Sequence, residues 1–325
     1  MIVPPKLKQG DEIRVVAPSR SFAIISKDIR KIAIERLEKL GFKVSFSKHC
    51  EEIDDFNSSS IQSRVEDLHD AFRDKNVKGI LTAVGGFNSN QILKYLDYDL
   101  IKNNPKILCG LSDITALQNA ITSKTGLITY SGPHISMFGM IEGFEYTQEY
   151  FEKCVINDEP YEINPSKKWS DDAWYMDQKN RKFMKNSGFL KINEGIAEGT
   201  IIGGHLRCIN SLQGTEFMPS LKNTILFLEE DEEMQAHHFD RGLQSLIHLP
   251  EFKGVKGIVI GRFQQDSKIT NSLIKQIIKS KKELDKIPII TNADFSHTNP
   301  VMTFPIGGTA KLKVDKKVEL KILRH

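Results

Sequence analysis

The sequence is poor in cysteine and tryptophan, and it has no long hydrophobic run. Its four cysteines, Cys50, Cys109, Cys154 and Cys208, stand far apart in 325 residues with no C-x-x-C pair. That spacing excludes a disulfide framework and the usual structural zinc site, and it fits a reducing, cytoplasmic setting. No run of about 18 apolar residues exists, and the start, Met1-Ile-Val-Pro-Pro-Lys6, lacks the apolar centre of a signal peptide. No membrane partner is expected. Neither sign of charge is in excess: the net charge is +3, and no polybasic tract points to a nucleic-acid polymer. The dinucleotide fingerprint and the P-loop are both missing, which argues against a nucleotide cofactor. His237 and His238 are adjacent on a predicted helix, where neighbours point about 100° apart and are badly placed to share an ion. No metal and no cofactor are expected.

What is present is an ordinary globular composition, 39% hydrophobic and 27% charged, at a length that suits two domains. In residues 1–150 strands alternate with helices. Ile13 to Ala17, Lys43 to Phe46, Lys78 to Ala83, Ile107 to Cys109 and Leu127 to Tyr130 read as strands. Ile25 to Leu40, Ser59 to Phe72 and a stretch from Asp113 read as helices. The alternation predicts an α/β fold with a parallel sheet, whose ligands bind at the carboxyl ends of strands. Pro18-Ser19, Gly85-Gly86, Ser112 and Ser131-Gly132-Pro133 all fall at such ends.

The most informative of these ends is Gly110-Leu111-Ser112-Asp113. A serine at a strand-to-helix corner lifts its hydroxyl clear of the sheet and leaves the next backbone N–H groups free at a helix N-terminus. The pattern lacks the second glycine of Gly-x-Ser-x-Gly, and by itself it also fits a helix cap supplied by Ser112 or Asp113. Gly85-Gly86 has two readings as well. It is either a tight turn or a place where the bare Gly86 N–H reaches a substrate oxygen as a second oxyanion donor beside Asp113.

Residues 151–195 are dense in charge and weak in periodicity, and they hold both tryptophans, Trp169 and Trp174. A long irregular segment in a compact protein is a linker or a functional loop, and one indole is a candidate platform for a substrate ring. Residues 196–325 form the remaining unit. Asn223 to Leu228 is an apolar strand that runs into Glu229-Glu-Asp-Glu-Glu233. Glu229 terminates the strand, whereas Glu232 and Glu233 read as a solvated loop. Ile287 to Ile290 is a strand leading to the polar loop that holds His297, and residues 311–323 read as a closing hairpin. Ser112, Glu229 and His297 satisfy the logic of nucleophile, base and orienting acid.

At this point the chain resembles the LD-carboxypeptidase family of serine peptidases, and within it the microcin C immunity peptidases. The resemblance rests on Val16-Ala-Pro-Ser19, Gly85-Gly-Phe-Asn-Ser-Asn90, Gly110-Leu-Ser-Asp113, Tyr130-Ser-Gly-Pro133 and Trp169-Ser-Asp-Asp-Ala-Trp174. It continues through Gly203-Gly-His-Leu206, Leu212-Gln-Gly-Thr215, Leu226-Phe-Leu-Glu229 and His297 with Phe304-Pro-Ile-Gly307. It implies a triad of Ser112, Glu229 and His297, with Gly86 and Asp113 as the oxyanion hole. It also implies a Rossmann-like N-terminal domain, a β-rich swivelling C-terminal domain, a homodimer, and no metal or cofactor. The chain departs from the family pattern in carrying His205 where many members read Gly-Gly-Asn-Leu, and Ser296 where they read Phe-Gly-His. Phe87, Asn88, Trp169, Trp174 and His205 are the substrate-binding candidates. Two substrates compete: an aminoacyl or peptidyl nucleotide of microcin C type, and the L,D-amide of a murein tetrapeptide in cell-wall recycling. A binding protein that has lost catalysis is the reading from a different class.

Overall fold

In the computed structural model, which describes all 325 residues, the β-branched and apolar runs of the first half become five parallel strands. They are β1 (Glu12–Val16), β2 (Lys43–Phe46), β3 (Val77–Thr82), β4 (Ile107–Gly110) and β5 (Thr129–Ser131), in the order β2-β1-β3-β4-β5. The central strands are buried on both faces, which is why they read as apolar runs rather than alternating ones. The helices α1 (Lys27–Lys39) and α2 (Ile61–Arg73) begin at Ser26 and Ser60, whose hydroxyls accept from the amides of Ile29 and Ser63. The short helix α3 (Tyr98–Asn103) precedes β4. The helix α4 (Ile114–Thr125) leaves the Ser112 corner and stops at Gly126, which takes φ 75°. The strand order reverses between β1 and β3, so the loops after those strands diverge and leave a crevice at their carboxyl ends.

The second half forms an eight-stranded mixed sheet. Its centre is four parallel strands, Gly195–His205, Thr224–Glu229, Val255–Gly261 and Ile289–Ala293. The hairpin expected at the end of the chain is Thr309–Val314 with Val318–Arg324, and it pairs antiparallel beside Gly195–His205. Two features differ from the reading of the sequence. Glu145–Val155 is an unexpected regular helix that runs into the stretch that reads as aperiodic. Its inward residues Thr147, Tyr150, Phe151, Cys154 and Val155 recur at helical spacing, but charged residues between them mask the pattern. Phe304–Ile306, from the C-terminal half, crosses over and pairs antiparallel with β5 as the edge of the first sheet. The two halves therefore share one apolar cluster, with Ile13 and Tyr130 at one end and Phe227 and Ile258 at the other. No helix is long and apolar enough to cross a membrane.

The halves are tied together by α4. Its buried Asn119 donates through Nδ2 to the Gly203 carbonyl at 2.8 Å and accepts through Oδ1 from the Gly203 amide at 3.4 Å. One turn earlier, Thr115 Oγ1 accepts from the His205 amide at 3.0 Å. Between them, a Cβ on Gly204 would lie 2.4 Å from Thr115 Oγ1, so only glycine lets the strand come this close. Asn119→Ala leaves a buried N–H and C=O without partners. It is expected to cost about 1–3 kcal/mol in denaturant unfolding, together with a fall in kcat because the serine and the rest of the site sit on opposite sides of this contact.

Candidate active site

Ser112 follows β4 directly and takes φ 62°, in the left-handed region that a side-chain-bearing residue seldom occupies. This is the geometry of a nucleophile elbow. Asp113 stands at the cap position of α4 but makes no side-chain bond to its own helix. Its carboxylate instead accepts from Ser19 Oγ at 2.6 Å and from the Ser89 amide at 2.8 Å, while Ser89 Oγ donates to the Asp113 carbonyl at 2.7 Å. The alternative of a simple helix cap therefore does not describe this corner. Asp113 clamps the elbow to the loops after β1 and β3.

That clamp places the double glycine over the serine. A Cβ on Gly85 would lie 2.9 Å from Ser112 Cβ and 3.0 Å from its Oγ, so this position has no space for a side chain. The amides of Gly86 and Asp113 donate to no group within the chain. They are two free donors flanking the serine, which is the arrangement an oxyanion hole requires.

Glu229 and His297 arrive from the second sheet. Glu229 ends the strand Thr224–Glu229 and is 4% exposed, and His297 lies in the loop after Ile289–Ala293. His297 Nε2 is 2.9 Å from Ser112 Oγ, and its Nδ1 is 2.9 Å from Glu229 Oε2. A carboxylate only accepts, so Nδ1 carries the proton and Nε2 is left to accept from the serine hydroxyl. Ser296 Oγ lies 3.0 Å from Glu229 Oε2 and 3.1 Å from the Glu230 carbonyl, so this serine sets one hydroxyl donor between the two acceptors. Burial alone would raise the Glu229 pKa, but His297 and His205 beside it hold it below the ordinary carboxylate range. Gly261 leaves room for this acid: a Cβ there would come within 2.9 Å of Glu229 Cβ.

The substrate-binding candidates are distributed unevenly. Phe87, 51% exposed, follows Gly86 at the mouth of the site. Asn88 is buried and spends its amide on neighbouring loops, with its Oδ1 3.2 Å from Ser19 Oγ and its Nδ2 donating to Ser58 Oγ. Trp169 packs its ring on the Arg262 guanidinium at 4.8 Å, and Trp174 is 8% exposed, edge-on to Tyr175. Their segment is fastened to the His297 loop by a two-way backbone bridge between Ser170 and Asn299 and by the Ser166 amide donating to Asp294. His205 is 3% exposed, its ring edge-to-face with His297 at 5.4 Å between centroids. Burial would lower its pKa, but Glu229, Asp231 and Cys208 raise it well above 6.5.

His134 is the residue that sequence reasoning missed, although it directly follows the Ser131-Gly132-Pro133 strand end. It is buried, shares a 2.7 Å hydrogen bond between Nδ1 and Thr82 Oγ1, and its Nε2 lies next to Gly85. Burial, with His297 nearby, pushes its pKa down to about 3.

Comparison with known proteins follows this geometry. Residues 13–132 match the LD-carboxypeptidase N-terminal domain and residues 198–312 the LD-carboxypeptidase C-terminal domain. The microcin C7 self-immunity protein MccF of Escherichia coli is 30% identical over 322 residues, 96% of this chain and 93% of its own. The crystal structure of an MccF-like protein from Bacillus anthracis str. Ames superimposes with a TM-score of 0.99 at 57% identity, covering 100% of both chains. MccF in complex with glutamyl sulfamoyl guanosine gives a TM-score of 0.89 at 29% identity, covering 99% of this chain and 98% of that one.

Two outcomes are expected. Gly85→Ala should fold but lose about 100-fold or more in kcat, because a displacement of the reacting hydroxyl by about 1 Å has that effect; circular dichroism and steady-state kinetics check it. The unfolded chain protonates its imidazoles near 6.5, whereas folded His134 stays neutral down to about 3. Between these values the unfolded state binds more protons, so the stability that His134 contributes is present above the window and is lost as pH falls through it. Thermal midpoints measured at about pH 7 and about pH 4 should fall less for His134→Asn than for the parent.

Proposed function

The chain belongs to the LD-carboxypeptidase family and is a serine-type peptidase, and from that premise we propose that it hydrolyses the amide of an aminoacyl or peptidyl nucleotide of microcin C type. The observation that carries the reading is the hydrogen-bonded line from Ser112 through His297 to Glu229, with both links at 2.9 Å, beside two free amides. The nucleotide half of the reading is supported by likeness over nearly the whole chain to MccF, whose solved structures include complexes with glutamyl sulfamoyl guanosine and aspartyl sulfamoyl adenosine.

In this scheme His297 Nε2 takes the Ser112 proton as the hydroxyl oxygen attacks the amide carbonyl. The negative charge that develops on the carbonyl oxygen is met by the Gly86 and Asp113 amides; losing one such donor typically costs about 3–4 kcal/mol. Glu229, held ionised, stabilises the imidazolium and keeps its ring in the productive tautomer. His297 then gives its proton to the leaving amine. Water, deprotonated by the same imidazole, frees the acyl group and restores the serine. No step needs a redox partner or an external base.

Cleavage of a murein tetrapeptide uses the same chemistry and is the second reading, favoured by the family's LD-carboxypeptidase domains at both ends of the chain. Side-by-side hydrolysis of an aminoacyl-sulfamoyl adenylate and a murein tetrapeptide decides between them. The adenylate should be the better substrate by kcat/KM, and Ser112→Ala should abolish its turnover. Preference for the tetrapeptide would replace the nucleotide reading with the murein one, and turnover surviving in a clean Ser112→Ala preparation would remove the triad.

Trp169 and Trp174 are the proposed seats for the base. Stacking on an indole is worth about 1–3 kcal/mol, so Ala at the responsible position should raise KM for the adenylate roughly tenfold to a hundredfold. The tetrapeptide, which has no base, should be cleaved as before. Normal adenylate kinetics in both variants would show that neither indole holds the base.

A further inference from the structure

Beside the triad lies a second cluster that the proposed reaction does not use. His205 Nε2 is 3.3 Å from Asp231 Oδ2, and donor atoms of His205, Asp231 and His297 all lie within 4.8 Å of one another. The buried Glu230 adds an independent observation. Its Oε2 lies 3.2 Å from the same His205 nitrogen, out of line for a hydrogen bond, and accepts no hydrogen bond from any group in the chain. Two imidazoles and a carboxylate, with an orphaned carboxylate oxygen against them, are the donor set of a borderline transition metal rather than of Mg²⁺ or Ca²⁺. Donors around a tetrahedral zinc stand about 3.3 Å apart, given bonds of about 2.0–2.1 Å. Small side-chain rotations close the observed spacing to that value.

We propose that Zn²⁺, or a similar divalent transition metal, binds His205, Asp231 and His297 and switches the enzyme off. His297 donates from Nδ1 to Glu229, so the lone pair it offers a metal is the Nε2 pair that otherwise accepts the Ser112 proton. Glu229 then becomes the carboxylate behind a metal-bound imidazole, an arrangement that strengthens the ligand. His205 releases its proton on binding, and the ion's charge is met by Asp231 and Glu230. The metal is an inhibitor here and takes no part in turnover. The proposal rests on the triad reading only for its effect on turnover, not for binding.

The test uses Co²⁺ as a spectroscopic probe on Ser112→Ala protein and Zn²⁺ as the inhibitor of the wild type. One Co²⁺ per chain with tetrahedral visible absorption, displaced by Zn²⁺, is expected. Wild-type turnover should fall with Zn²⁺ and return with EDTA. His205→Ala and Asp231→Asn should each weaken metal affinity at least tenfold, read by Co²⁺ absorption. Unchanged affinity in both variants overturns the proposal. So does loss of binding in Cys208→Ser, because Cys208 Sγ, 3.5 Å from His205 Nδ1, is the rival ligand. Tight binding that leaves wild-type turnover intact upholds the site and counts against His297 as the base.

Discussion

The contact between α4 and the strand Gly195–His205 is the constraint on which the site depends. Ser112 belongs to the first sheet, whereas Glu229 and His297 belong to the second. A hydrogen bond of 2.9 Å between elements of two sheets survives only if their separation is held to a few tenths of an ångström. Asn119 and Thr115 do this by bonding the strand backbone directly, and Gly203 and Gly204 permit the approach. The helix that begins beside Ser112 is thus the same helix that docks the second half, so serine and histidine are registered through about one turn of rigid backbone. Phe304–Ile306, paired with β5, provides a further tie from the histidine side.

The electrostatics of the site follow from packing three successive acids, Glu229, Glu230 and Asp231, against two histidines. Glu229 is fully enclosed yet ionised because His297 and His205 compensate for its burial. Burial pushes Glu230 up to about 7, while His205 helps to hold the Asp231 carboxyl, although partly buried, down to about 2. One sequence run therefore yields three different acids, separated by depth and by distance from the imidazoles. His205 stands beside Glu229 and Asp231, so an imidazole is part of the charge balance in this corner.

Most of the first sheet was legible from periodicity. Lys43–Phe46 falls where expected, and α1 and α2 begin within two residues of their expected starts at Ile25 and Ser59. The elbow at Ser112 and the strand end at Glu229 were legible because strand, turn and helix succeed each other there without interruption. The helix Glu145–Val155 was not, since its buried residues alternate with charges that flatten the hydrophobic signal. The roles of Asp113, Asn88 and the two tryptophans were equally hidden. A polar side chain in a loop reads the same whether it faces a substrate or, as Asn88 does, serines of two neighbouring loops.

Most of the elements, the α/β alternation and the residues that carry reactive groups were readable along the chain, because these depend on local propensity and on a few residues of context. That Ser112 and His297, 185 positions apart, come within 2.9 Å of each other follows from the packing of the whole chain. That packing also decided that Gly85 is bare because Ser112 sits under it, and that His134 is neutral because it is sealed behind Thr82. Distance, burial and electrostatic neighbourhood are properties of the packed chain. Chemistry at a serine hydroxyl depends on all three, so it is settled only when the two sheets meet.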